Sequence, residues 1–99
     1  MAETAESTGP VAFAARFPPE ERFAATAAEI AGRLASACGC AADAADEIRG
    51  EVGRAFGEAV AAPGASDIDV TLRTDDGAFE ADVACGGRAI LHCSKTRSS

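Results

Sequence analysis

A chain of 99 residues carrying a formal net charge of -7 holds one domain with one modest core. Its acid excess argues against nucleic acid and anionic membranes, which both call for a surplus of Lys and Arg. Alanine dominates the 47% hydrophobic fraction, and there is no Trp or Tyr, so the core is expected to be marginally stable and to leave room for a partner or for self-association.

The opening stretch MAETAESTGP is acidic and polar and lacks the apolar region of a secretory signal. No apolar run approaches the ~18 residues of a membrane span, and the expected compartment is the cytoplasm. Residues 1-9 read as a disordered tail, residues 10-93 as a single domain, and residues 94-99 as a flexible C-terminal tail.

From Val11 to Phe17 the apolar residues alternate, which predicts a strand ended by Pro18 and Pro19. The Pro-Pro-Glu-Glu run opens a helix. Phe23, Ala27, Ile30, Leu34 and Cys38 recur at helical spacing, so the first helix is expected from about Pro19 to Ala37, with Gly39 as its stop. A second helix starts at Asp43 and ends before Pro63. Its apolar face is Ile48, Val52, Ala55, Phe56, Ala59 and Val60. Gly50, Gly53 and Gly57 lie inside it on or near one stripe. Close packing against the first helix or the sheet accounts for them best; approach of a partner is the sharper alternative.

Three strands follow. Ile68, Val70 and Leu72 alternate with polar residues, as do Phe79, Ala81, Val83 and Cys85. Asp76-Gly77 and Gly86-Gly87 act as two-residue turns. That register puts Val70, Val83 and Ile90 on one face and sets Arg73 opposite Glu80 on the other. It also leaves Ala84, Ala89, Leu91 and Cys93 as an apolar end of the outer face. The order β-α-α-β-β-β is that of an α+β two-layer sandwich, with two helices on one face of a mostly antiparallel four-stranded sheet.

Complete chemistry is hard to find in these residues. Cys38 and Cys40 form a C-x-C, outside the paired spacings of structural zinc sites. In this register Cys85 and Cys93 stand roughly 16 Å apart, too far to share an ion. In a reducing compartment the four cysteines are expected as thiols or metal ligands. His92, the one histidine, reads as a surface or partly packed side chain. Asp43, Asp46, Glu47 and Glu51 charge the second helix and its solvated face.

Residues 11-62, VAFAARFPPEERFAATAAEIAGRLASACGC followed by DAADEIRGEVGRAFGEAV, resemble the N-terminal half of the anti-sigma-factor serine kinases. Those belong to the histidine-kinase-like ATPase superfamily, the Bergerat fold. The resemblance implies a strand, a helix, an acidic loop and a second helix carrying the N box, whose Asn holds Mg²⁺ against the phosphates of ATP. Here the matching stretch is Arg54-Ala55-Phe56-Gly57-Glu58. Arg54 stands where the family has its catalytic Glu, and an Arg is no base at neutral pH. Glu58 stands where the family has Asn. The adenine-binding box matches only at Gly87, with Cys85 in place of its Asp, and the ATP lid is missing.

The resemblance therefore implies a degenerate relative with no catalytic residues and no cofactor. Arg54, Glu58, Cys85 and Gly87 would be relics of a nucleotide site. The expected role is a non-catalytic protein-binding regulator, engaging a sigma factor or an anti-sigma antagonist, with a homodimer as a further possibility. Gly53, Arg54, Gly57 and Glu58, or the outer sheet end at Leu91, would form the partner surface. The alternatives are residual ATP and Mg²⁺ binding with Glu58 as a ligand, and a cysteine-based metal or redox module.

Overall fold

The computed structural model describes residues 10-75 and 77-96. The expected tail at residues 1-9 and the last three residues of the chain lie outside them. The elements in chain order are β1 (Val11–Phe17), a 3-10 turn (Glu21–Phe23), α1 (Ala24–Ala37), α2 (Ala42–Ala61), β2 (Ile68–Thr74), β3 (Ala78–Cys85) and β4 (Arg88–Thr96). The sheet is antiparallel throughout, in the order β1-β2-β3-β4. Both helices lie on one face, so the fold is the expected α+β two-layer sandwich.

The first helix begins later than the sequence suggests. Glu20 keeps an extended backbone, and the 3-10 turn leads into α1 at Ala24. Two consecutive prolines favour extended backbone before the second of them, which delays the regular turn. Gly39 ends α1 with a φ of 102°, a left-handed conformation that costs a glycine little.

The core lies between α2 and the sheet. Ile48, Val52 and Phe56 from α2 meet Ile68, Leu72, Phe79 and Val83, all fully buried. Phe56 packs edge-on against Phe17, with ring centroids 5.6 Å apart, and Phe17 contacts Phe23 at 6.0 Å. Such ring pairs add about 0.5–1.5 kcal/mol beyond the area they bury. α1 contributes alanines: Ala27, Ala31 and Ala35 are buried, and their small side chains let it settle close to its neighbours.

The β2–β3 hairpin has the expected register, with Val70 opposite Val83 and Arg73 opposite Glu80. Asp75 closes the turn, its carboxylate accepting from the Gly77 and Ala78 amides. The β3–β4 hairpin departs from expectation. Ala84 pairs with Ala89, but Val83 pairs with Leu91, so Ile90 is an extra residue in a bulge. A one-residue shift flips every later side chain to the other face. Leu91 and Cys93 therefore pack with the core on the helix side, and so does Ile90. His92 goes to the outer face, opposite Asp82. The bulge lets two adjacent bulky residues, Ile90 and Leu91, reach apolar surroundings. A regular ladder would leave one of them in water. β4 also runs on to Thr96, three residues past the Cys93 boundary read from the sequence.

Candidate functional site

Arg54 and Glu58 lie on the solvent side of α2, away from the buried stripe of Ile48, Val52, Phe56 and Ala59. Arg54 donates to Glu51 and to Glu58, at 2.9 Å each. The bond to Glu51, then that to Glu58, raises the guanidinium pKa above its ordinary value. The cation is thus engaged within its own helix, although its side chain is 56% exposed. Neighbouring acids continue the ridge: Glu47 takes an ion pair from Lys95 of β4, and that bond raises the Lys95 pKa.

The stripe of three glycines divides on inspection. A Cβ on Gly53 would stand 3.4 Å from the Ala28 methyl of α1, so Gly53 belongs to the helix–helix contact. On Gly57 it would stand 3.8 Å from a Glu21 carboxylate oxygen, and around Gly50 there is open space. The closest approach to a helical glycine was not foreseen. Gly32 of α1 receives the Arg49 guanidinium, 2.8–2.9 Å from where a Cβ would be. Arg49 also pairs with Asp46, and it approaches Glu29 at 3.7 Å.

Cys85 and Gly87 sit at the far end of the sheet. There the β3–β4 turn docks on the loop after α2. The Cys85 thiol donates to the Ser66 carbonyl at 3.3 Å, and the Gly86 amide donates to the Asp67 carbonyl at 3.4 Å. Gly86 and Gly87 have φ values of 60° and 82°, as a two-residue turn with both residues left-handed requires. Gly87 borders an open cleft of about 510 Å³ beside Arg16, Asp67 and Asp69. Arg16 donates to Asp69 at 2.8 Å across the β1–β2 ladder, so this cation is engaged as well. Cys85 borders a second cleft of about 330 Å³ with Arg88 and Ile90. Arg54 and Glu58 line neither cleft, so the four positions matched to the nucleotide boxes do not converge there.

Leu91, expected at an outer partner patch, is half-buried on the helix side, because the bulge at Ile90 turns it inward. Cys93 lies on the same side, where burial raises its thiol pKa, which makes it a poor nucleophile. Among the described residues no group of three or more His, Cys, Asp or Glu side chains could hold a metal ion. On the outer face His92 hydrogen-bonds Asp82 through Nδ1, and Arg73 stands 3.6 Å from the other Asp82 oxygen. The Asp82 bond raises the imidazole pKa.

Sequence reasoning missed Ser66, the Arg49–Gly32 contact and the Asp82–His92 pair. Only the last left a trace in the sequence, and reading it required the register of β4. Compared with known proteins, the chain matches no family model, no curated protein and no solved structure. Among the described residues no helix is long and apolar enough to cross a membrane.

Proposed function

We propose that the chain is a non-catalytic regulatory module of the bacterial cytoplasm that binds a protein partner and needs neither ATP nor Mg²⁺. The observation that carries this reading is the outer ridge of α2. Asp43, Asp46, Glu47, Glu51 and Glu58 share that helix with Arg49 and Arg54, and both arginines are engaged with its own acids. The ridge offers a negative surface to a basic partner and no unengaged cation to a phosphate. The resemblance to anti-sigma-factor serine kinases supports a sigma factor or its antagonist as that partner. It rests on the residues of β1, α1 and α2 and on the order of elements.

Two measurements test the reading. A thermal melt with millimolar Mg-ATP should be superimposable on one without it. Nucleotide at about 100 times its dissociation constant would add roughly 2.7 kcal/mol, several degrees for a domain of this size, and such a rise would overturn the reading. Purification from the native cells should yield a stoichiometric protein partner that salt releases and that the double variant Glu51→Lys, Glu58→Lys fails to hold. Recovery of the chain with no partner would count equally against it.

A further inference from the structure

Two of the cysteines, Cys38 and Cys40, stand on either side of Gly39 at the joint between the helices. α1 ends at Ala37 and α2 begins at Ala42. Backbone hydrogen bonds shape the joint. The Gly39 amide donates to the Ser36 carbonyl at 3.1 Å, and the Cys40 amide donates to the Ala35 carbonyl at 3.0 Å. Those two bonds, with Gly39 left-handed at a φ of 102°, form the Schellman closure of a helix.

The closure brings the two cysteine side chains together. Cys38 lies three residues beyond Ala35 and so shares its face of the helix. The Cys40 amide bond folds the chain back over the same Ala35. Ala35 is fully buried, Cys40 is 7% exposed, and the half-buried Cys38 packs against the same apolar cluster. Both thiols therefore lie on one side of the joint. A left-handed residue mirrors a helical one, and helical residues spaced i, i+2 have Cα atoms about 5.4 Å apart. Disulfides span ~4.4–6.8 Å between Cα atoms. The remaining two cysteines are not so placed. Cys93 pairs opposite Ala81, four positions from Cys85 along β3, beyond disulfide reach.

We propose that Cys38 and Cys40 form a reversible disulfide, with a small-molecule disulfide as oxidant, and that the α1–α2 joint is a redox-sensitive fastening. Cys38, the more exposed of the pair, loses its proton to water, and its thiolate attacks one sulfur of the small disulfide. A mixed disulfide forms and one small thiolate leaves. Cys40 loses its proton in turn and attacks the Cys38 sulfur. The Cys38–Cys40 bond forms, the second small thiolate leaves, and both leaving groups take up protons. Two protein thiols are oxidised, and one small disulfide is reduced to two thiols.

A ring closed across a single residue restricts the unfolded chain little. It also strains the bridge, and strained bridges are readily reduced. These properties suit a switch that a reducing compartment resets and do not suit a permanent staple. The device stands apart from the acidic ridge of α2, and either reading holds if the other fails.

The test equilibrates the full chain at a fixed level of reduced glutathione with a rising level of oxidised glutathione. Remaining thiols are then alkylated and the chain is digested with trypsin. Cys38 and Cys40 fall in one peptide, residues 34–49, whereas Cys85 and Cys93 fall in two others. The peptide of residues 34–49 should become two hydrogens lighter and take up no alkylating reagent, while the native circular dichroism is kept. Half-oxidation should need about tenfold less oxidised glutathione than in concentrated urea, because the folded turn holds the pair in place. Cys38→Ser and Cys40→Ser should each abolish the lighter peptide. A pair that stays alkylated at every ratio overturns the proposal, and so does a mixed disulfide on Cys38 that never closes. A bridge that forms as readily in urea overturns it too, because adjacency in the chain would then account for it without the fold.

Discussion

His92 shows what a single residue contributes once its partner is known. Its imidazole is held by Asp82 across the β3–β4 ladder, and that bond raises its pKa above the ordinary 6.5. A histidine with a raised folded-state pKa stabilises the protein fully below its unfolded pKa and loses that contribution as pH rises through the folded value. Nearby Glu80 also raises the pKa, while Arg73 opposes. His92→Gln should therefore melt below the parent at pH values under about 6.5 and converge with it in alkaline buffer. The gap should be small, because the side chain is 55% exposed and solvent screens the pair. An equal gap at both ends of the pH range would rule the ion pair out as its source. Gly50 is a second case. It sits inside α2 with open space around it, so Gly50→Ala gains helix propensity of up to about 1 kcal/mol at no steric cost. The melting temperature should rise by about 4–8 °C per kcal/mol; an unchanged or lower value would reveal a role for the missing side chain.

At the scale of elements, β4 is the one whose facing decides most. Its bulge places Leu91 and Cys93 over the core and His92 in solvent. Leu91→Ala should then cost about 1–2 kcal/mol, below the ~2–5 range for fully buried leucines because Leu91 is half-buried, and Ser94→Ala on the outer face should stay within about 0.5 kcal/mol. Urea denaturation of the two variants distinguishes the bulged register from a regular ladder, in which Leu91 would be the tolerant position. The helices show how unevenly elements can be read. The buried face of α2 was visible in the sequence as apolar residues at helical spacing. The role of its glycines was not, because spacing says which residues share a stripe but not which neighbour that stripe meets. Gly53 meets Ala28 while Gly50 meets water, and the difference comes from how α1 crosses α2. The candidate site was less legible still. Arg54 and Glu58 were picked out together, and they do pair, yet their partnership is with each other and with Glu51. Cys85 and Gly87 serve a turn docked on Ser66.

For the whole molecule, the governing fact is a core built largely from alanine, with a few large side chains at its centre. Such a core leaves little stability in reserve. The amino-acid sequence by itself determined the order of elements, the two-layer architecture and the register of the β2–β3 hairpin. These follow from local periods of 3.6 and 2 and from Asp and Gly at turns, which act over a few residues and need no distant partner. Only the tertiary structure decided which way β4 faces, which glycine touches a helix, and where apolar surface remains open beside β1. Each of these depends on competition between side chains far apart in the chain for the same volume. Ile90 and Leu91 both reach the core only because the ladder yields one residue. The groove beside β1 exists only because α1 packs towards α2, leaving Phe13, Ile30 and Leu34 partly uncovered.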